Sequence, residues 1–136
     1  MWNWFSKHAQ AFAALFSALA LVGVLYQVRA SDQAQRAQSA RDIYREFIAL
    51  TINKPELAIF QWNANLSDKD RIAYEAYVEY LLYTSEQVIA VDAEWAGPMR
   101  GWLDDHAAFL CALNDLSAYT PDVQNLIGEI KNAECK

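Results

Sequence analysis

The chain has 136 residues, of which 54% are hydrophobic and 21% charged, a size that favours one compact domain. Its formal net charge of −6 argues against the broad basic surface that nucleic-acid binding requires. Two cysteines are too few for a disulfide scaffold or a four-thiolate zinc site. With four Gly, three Pro and no repeated strand-like alternation, the sequence predicts an all-α fold.

An uncharged segment near the N-terminus has the length of a membrane span. Residues 9–28, AQAFAALFSALALVGVLYQV, lie between Lys7 and Arg29 without a charged residue. Twenty residues make roughly 30 Å of helix, which is enough to cross the hydrocarbon core. We therefore predict a transmembrane helix over residues 9–28. Residues suited to the two membrane interfaces flank or end it: Trp2, Trp4, Tyr26 and Arg29.

The same segment is also compatible with a signal peptide or with a buried helix. A signal peptide is suggested by Lys7 and by the Val28-Arg29-Ala30 sequence, which resembles a small-x-small cleavage site. The hydrophobic run is long for a signal peptide, however, and Arg29 directly precedes the scissile alanine. A buried helix is disfavoured because residues 11–26 are apolar on all sides. The secreted protein that cleavage would release remains an alternative.

The charges beside the span predict its orientation. Lys7 precedes it, whereas four arginines follow it closely: Arg29, Arg36, Arg41 and Arg45. Because positive residues stay in the cytoplasm, we predict a bacterial inner-membrane protein with residues 1–8 outside and the C-terminal body in the cytoplasm. Cys111 and Cys135 would then be reduced thiols. In the signal-peptide alternative, the same two cysteines can pair.

After the span, the same helix is expected to continue. Neither Gly nor Pro occurs from Val24 to Lys54, so one helix is predicted from about residue 3 to 50. We divide it into the span and a juxtamembrane stalk over residues 29–52, followed by a body over residues 53–136. From Pro55 onward, 5 basic and 14 acidic residues give a net charge of −9.

Proline, glycine and capping residues divide the body into helices. Pro55 begins a short helix, Ser67 caps a longer one to about Ala90, and Gly97-Pro98 is predicted to end it. Thr120 caps the last helix. The remaining predicted helices cover residues 99–113 and 121–131. The predicted architecture is a long anchor and stalk helix with a small antiparallel helical bundle at its distal end.

Small residues at helical spacing predict helix–helix contact. In the span they are Ala9, Ala13 and Ser17 on one face and Ala14 and Ala18 on another, with Gly23 nearer the end. In the stalk, a narrow stripe is formed by Ala30, Ala34, Ala37, Ala40 and Tyr44. We expect contact with an integral membrane partner or with a second copy. A solvated polar stalk is the alternative for the second stripe.

The body residues that carry chemical groups predict packing rather than catalysis. On the third helix, the expected core face comprises Ala73, Tyr77, Tyr80, Leu81, Val88 and Val91, with Tyr74 and Tyr83 on its flanks. His106 lies on an apolar stripe and is expected in the core with a satisfied nitrogen. Glu75, Glu79 and Glu86 share a face that is expected to be solvated, since no Glu-x-x-His pair accompanies them. We therefore expect no catalytic, cofactor or metal site.

Four helical segments have patterns that can be compared with those of other proteins. They are GVLYQVR at the end of the span, ARDIYREFIAL and NKPELA after it, and YEAYVEYLLYTSE in the body. On these helix patterns, the chain resembles uncharacterised small bacterial and phage single-pass membrane proteins with a short helical body, a family of unknown function. The resemblance covers most of the chain. It implies this architecture and no catalytic role.

These observations predict a non-enzymatic accessory or scaffold subunit of a membrane protein complex. Its partners would be the lipid bilayer and an integral membrane protein, or a second copy of itself. A membrane-tethered sensor or defence effector that self-associates is the second hypothesis.

Overall fold

The computed structural model describes residues 2–60, 62 and 67–135, with side chains described from residue 13 onward. Within these ranges the protein is helical and contains no strand, which confirms the all-α prediction. The helices are α1 (Trp2–Asn53), α2 (Pro55–Ala58), α3 (Asp68–Ile89), α4 (Ala96–Asp104), α5 (Ala107–Ala112) and α6 (Pro121–Glu134), with a 3₁₀ turn at Ala93–Trp95. The chain forms two compact units, Met1–Arg36 and Ala37–Lys136, and the boundary falls inside α1, earlier than the predicted start of the body.

Helix α1 is the single long helix that the sequence predicts. It runs from Trp2 to Asn53, because nothing after Gly23 interrupts it until the proline at position 55. The last turn is closed by the backbone N–H of Lys54, which donates to the carbonyl oxygen of Leu50 over 2.8 Å. The residue before a proline is displaced from the helical region, so the helix ends where Pro55 requires it.

The start of α3 follows the predicted cap. The hydroxyl of Ser67 accepts a hydrogen bond from the backbone N–H of Asp70 at 3.2 Å and donates to the Asp70 carboxylate at 2.7 Å. Ser67 thus satisfies one of the N–H groups that a helix leaves unpaired in its first turn.

Helix α3 ends within one residue of the predicted Ala90, but Gly97-Pro98 does not end it as predicted. Helix α3 already ends at Ile89, and the Asp92 carboxylate accepts from the backbone N–H of Glu94 to begin the 3₁₀ turn. Gly97 and Pro98 then lie in the first turn of α4. A proline fits there because the first-turn N–H groups need no helical partner. The pair therefore marks a helix start, and its prediction as a helix end is wrong.

The predicted fourth helix is two helices. Helices α4 and α5 are separated at Asp105 and His106, where His106 has φ −111° and ψ 18°. The apolar stripe nevertheless remains on one side: Met99, Leu103, His106, Phe109 and Leu110 are all buried. Periodicity predicted the burial correctly but not the break, because no glycine or proline marks it.

The core of the 37–136 unit is rich in aromatic side chains. Phe47 of α1 is fully buried, with ring centroids 5.7 Å from Tyr77 of α3 and 5.4 Å from Trp102 of α4. The other buried apolar residues are Ala40, Tyr74, Val78, Leu81, Leu82, Val88, Ile89, Met99, Leu103, Phe109, Leu110, Val123, Leu126, Ile127 and Ile130. The last part of α1 is thus a structural element of the body.

The core face of α3 is wider than predicted. Tyr77, Leu81 and Val88 are buried as expected, whereas Ala73 and Val91 are exposed. Tyr74, expected on a flank, is fully buried. Its ring packs against three aromatic rings from two other segments: Phe60 and Trp62 before α3, and Phe109 of α5. Helix α3 therefore buries two sides, and a single stripe underestimates its core face.

Candidate functional site

The apolar part of α1 in the Met1–Arg36 unit presents its side chains outward. Every residue from 13 to 30 is exposed, including Leu15, Phe16, Leu19 and Leu25 at 57–68%. One N-terminal helix is therefore long and apolar enough to cross a membrane. The predicted contact residues Ala13, Ala14, Ser17, Ala18, Gly23, Tyr26, Arg29, Ala30 and Ala34 all lie on this exposed surface. The side chains of Trp2, Trp4 and Ala9 lie outside the described ones.

Ser17 is the polar residue within this apolar surface. Its hydroxyl donates to the carbonyl oxygen of Ala13, one turn earlier, over 2.8 Å. The hydroxyl is thus satisfied inside the helix and adds no unpaired polar group to the surface. At Gly23, an added Cβ would meet no described atom within 4 Å, so nothing within the described chain requires glycine there.

The second half of the stalk stripe packs within the chain. Ala40 is only 6% exposed and belongs to the core of the 37–136 unit, while Ala37 is half-buried. The ring of Tyr44 meets Trp95 edge-on, with centroids 4.8 Å apart. These three residues contact the body of their own chain, which leaves Ala30 and Ala34 as the exposed members of the stripe.

The acidic residues of α3 hold neighbouring groups of the body. Glu75 accepts from Arg71 at 3.2 Å, and Glu79 accepts from the hydroxyl of Tyr119 at 2.8 Å. Glu86 accepts from the backbone N–H of Thr120, the residue that precedes α6. Burial and the bond to Glu79 raise the pKa of Tyr119, which keeps its hydroxyl a donor. Among the described residues, no three His, Cys, Asp or Glu side chains are grouped to hold a metal.

His106 and Tyr74 form a buried polar pair inside the aromatic core. His106 is 1% exposed, and its Nδ1 lies 2.8 Å from the Tyr74 hydroxyl. Burial raises the pKa of Tyr74 to about 12, so this hydroxyl is protonated at neutral pH. Burial also lowers the pKa of His106, with Asp105 opposing the shift. The predicted core histidine is confirmed, but Nε2 has no partner among the described residues, so only one nitrogen is satisfied.

The two cysteines form a disulfide, and the prediction of reduced thiols is wrong. Cys111 lies in α5 and Cys135 directly follows α6, with their Cα atoms 5.7 Å apart. The cause is tertiary: α5 and α6 pack against each other through buried residues, which brings two cysteines 24 positions apart into bonding range. Only the signal-peptide alternative had allowed this pair.

A shallow apolar cleft lies beside α3 and α5. Trp62, Ile72, Ala76, Phe109 and Leu113 line it. Two glutamates of α3, Glu75 and Glu79, stand at its side. No sequence pattern predicts this cleft, because its lining comes from three separate segments.

No family model, curated protein or solved structure matches this chain. The resemblance to small bacterial and phage membrane proteins therefore stays a prediction. The arrangement of the chain's own residues carries the functional argument.

Proposed function

We propose that this chain is a single-pass protein of the bacterial inner membrane that serves as a non-enzymatic accessory or scaffold subunit. The span over residues 9–28 anchors it and contacts a helix of an integral membrane partner. The body, a small antiparallel helical bundle, is held at the membrane by this anchor. The single observation that carries the proposal is the exposed apolar surface of residues 13–28.

Exposing that apolar surface to water is unfavourable in free energy. Leu15, Phe16, Leu19, Leu21 and Leu25 each expose more than half of their area. Burying one such side chain is worth roughly 1.5–3 kcal/mol, so a water-exposed helix of this kind forgoes a large stabilisation. In a bilayer the lipid tails supply the apolar surroundings, and the helix satisfies its own backbone hydrogen bonds.

Association with another helix is supported by the small side chains within the span. In lipid, apolar area gives no drive for helices to associate, so close packing and backbone approach must supply it. Ala13 and Ser17 lie one turn apart on one face, and the Ser17 hydroxyl is already paired with the Ala13 carbonyl oxygen. This face is flat and apolar enough for a second helix to approach.

The body can act as a binding module because it has its own core. Phe47, Tyr77 and Trp102 join three helices of the 37–136 unit, and the acidic residues of α3 fasten the segment before α6. Such a unit can hold a partner near the membrane without carrying out a reaction. The cleft lined by Trp62, Ile72 and Phe109 is one surface that it offers.

The experiment compares two variants of the anchor. The full chain, with a C-terminal tag and native expression, is extracted in mild detergent and analysed by size-exclusion chromatography and mass spectrometry. Ala13→Leu adds bulk to the small-residue face, and Leu19→Phe adds similar bulk on a side of the helix that carries neither small-residue face. We expect the first to release a stoichiometric membrane partner and the second to retain it.

Three outcomes count against this proposal in different ways. If both variants retain the partner, the small-residue face is not the contact surface. A homo-oligomer as the sole species favours the self-associating sensor or effector. If the full chain is recovered in the soluble fraction, residues 9–28 do not anchor it in the membrane.

A further inference from the structure

The disulfide joins two helices that already pack in the core. Phe109 and Leu110 of α5 are buried, as are Ile127 and Ile130 of α6. The side chain of Lys131 adds a hydrogen bond to the carbonyl oxygen of Leu113. The sulfur atoms therefore meet because the fold places them together. They are also the only two cysteines among the 136 residues.

The position of the bridge leaves it open to redox partners. Cys111 is half-buried at the surface, and Cys135 is exposed beyond the end of α6. Glutathione and thioredoxin keep such accessible cysteines reduced in the cytosol, whereas disulfides persist outside the cytoplasm. The location of the body therefore determines whether this bond exists.

We propose that the body of this protein lies on the extracytoplasmic side of the membrane, where Cys111 and Cys135 are oxidised to a disulfide. This inference rests on the proposed membrane anchor and reverses the orientation predicted from charge. The N-terminal flank with Lys7 is then cytoplasmic. In the oxidation, the two thiols lose two protons and two electrons. The electrons reduce the disulfide of an extracytoplasmic thiol–disulfide oxidoreductase to its dithiol.

The arginines after the span do not prevent this orientation. The preference of positive residues for the cytoplasm is counted over loops of up to roughly 60 residues, and longer domains cross largely regardless of charge. Residues 29–136 already make 108 residues after the span. The four arginines themselves lie within 17 residues of the span, so the charge count and the disulfide favour opposite orientations. We give the disulfide more weight, because a long domain after the span can cross the membrane regardless of charge.

The thiol state is measured first, in intact bacterial cells expressing the tagged full chain. Thiol exchange is stopped with acid, and the precipitated protein is dissolved in denaturant at neutral pH, where free thiols are blocked with N-ethylmaleimide. The protein is then reduced, and the released thiols are coupled to a polyethylene-glycol maleimide. We expect two labels per chain, and none when the host lacks its extracytoplasmic thiol oxidase. Absence of both labels in the normal host overturns the proposal.

The side of the membrane on which the body lies is determined separately with single-cysteine variants. Cys111→Ser leaves Cys135, and Ser6→Cys in a chain that also carries Cys111→Ser and Cys135→Ser supplies a thiol before the span. In spheroplasts, a membrane-impermeant maleimide should label Cys135 at once and the position 6 thiol only after permeabilisation. The opposite pattern overturns the proposal. Labelling reports the side even if a variant unfolds.

Whether the chain is found in the membrane fraction distinguishes a failure of the proposed orientation from a failure of the proposed anchor. An intact, membrane-bound chain with the disulfide supports both proposals. A soluble chain shortened at its N-terminus, with the disulfide present, instead supports the signal-peptide alternative. That result overturns membrane anchoring although the body is still extracytoplasmic. A membrane-bound chain with reduced cysteines overturns the orientation and leaves the anchor intact.

Discussion

The Met1–Arg36 and Ala37–Lys136 units differ in how far they expose the same kinds of apolar side chain. Phe16 and Phe47 belong to one continuous helix, yet Phe16 is 68% exposed and Phe47 is 0% exposed. The helical backbone is therefore common to both, and the surroundings of its side chains differ. In the first unit the surroundings must come from outside the chain, whereas the second supplies its own.

This difference separates two sources of stability. Helix α1 around Phe16 satisfies its backbone internally and leaves its apolar side chains exposed. Around Phe47, the rings of Tyr77 and Trp102 form the packing partners. A substitution in one unit should therefore change association or insertion, and the equivalent substitution in the other should change the free energy of unfolding.

The largest expected effect tests this directly with a matched pair. Phe47→Ala leaves a cavity in the aromatic core and should lower the free energy of unfolding of the body by roughly 3–5 kcal/mol. Phe16→Ala removes the same atoms from an exposed position of the same helix and should leave that quantity unchanged. Urea denaturation in detergent micelles, followed by near-ultraviolet circular dichroism, measures both. Equal losses for the two variants would contradict the division into two units.

The next largest effect belongs to the disulfide of the body. Cys111 and Cys135 close a loop of 24 residues, and restricting the unfolded chain in this way is worth about 3.5 kcal/mol. Adding a reductant should therefore lower the free energy of unfolding of the wild-type body by that amount. The double variant Cys111→Ser and Cys135→Ser should show the lower stability and no response to reductant. If reductant also lowers the free energy of unfolding of the double variant, its effect does not come from this disulfide.

Local signals were sufficient where one stretch of chain decides the structure. The length of α1 follows from the absence of proline before Pro55, and the start of α3 follows from the Ser67 side chain and its own next turn. Gly97-Pro98 shows the limit of such signals, because a proline fits either just after one helix or in the first turn of the next. Which of the two occurs depends on where α3 stops packing.

Tertiary placement explains what the sequence did not predict. Tyr74 is buried because Phe60, Trp62 and Phe109 come from other segments to cover it. The disulfide likewise requires α5 and α6 to meet, and no spacing of two cysteines announces that. For the N-terminal part of α1, the helix contacts expected at its small residues stay a prediction, because a helix taken alone does not name its partner.

A moderate effect should appear when the pH is lowered, and only in the body. Burial lowers the pKa of His106, so the folded protein keeps this ring neutral beside Tyr74, Tyr77 and Asp105 while the unfolded chain binds a proton. The stabilising effect of the neutral ring is thus complete above the usual histidine pKa of about 6.5 and is lost as the pH falls toward the folded value. One proton gives a slope of at most about 1.4 kcal/mol per pH unit.

The variant His106→Gln checks that the histidine causes this slope. Glutamine cannot titrate, so the free energy of unfolding of the variant should vary less between pH 7 and pH 5 than that of the wild type, even though its stability at pH 7 is lower. Urea titrations at several pH values measure the difference. An unchanged slope would assign the pH dependence to the carboxylates instead.

The smallest expected effect compares two helix starts inside the body. Ser67 caps α3 through its hydroxyl, whereas the Thr120 side chain makes no capping hydrogen bond at the start of α6. Ser67→Ala should therefore cost about 1 kcal/mol in the free energy of unfolding, and Thr120→Ala much less. At Thr120 it is the backbone N–H that donates to Glu86, and alanine retains that donor. Equal losses would show that the Thr120 hydroxyl contributes through a contact other than capping. Unequal losses would show that α3 depends on its side-chain cap and that α6 does not.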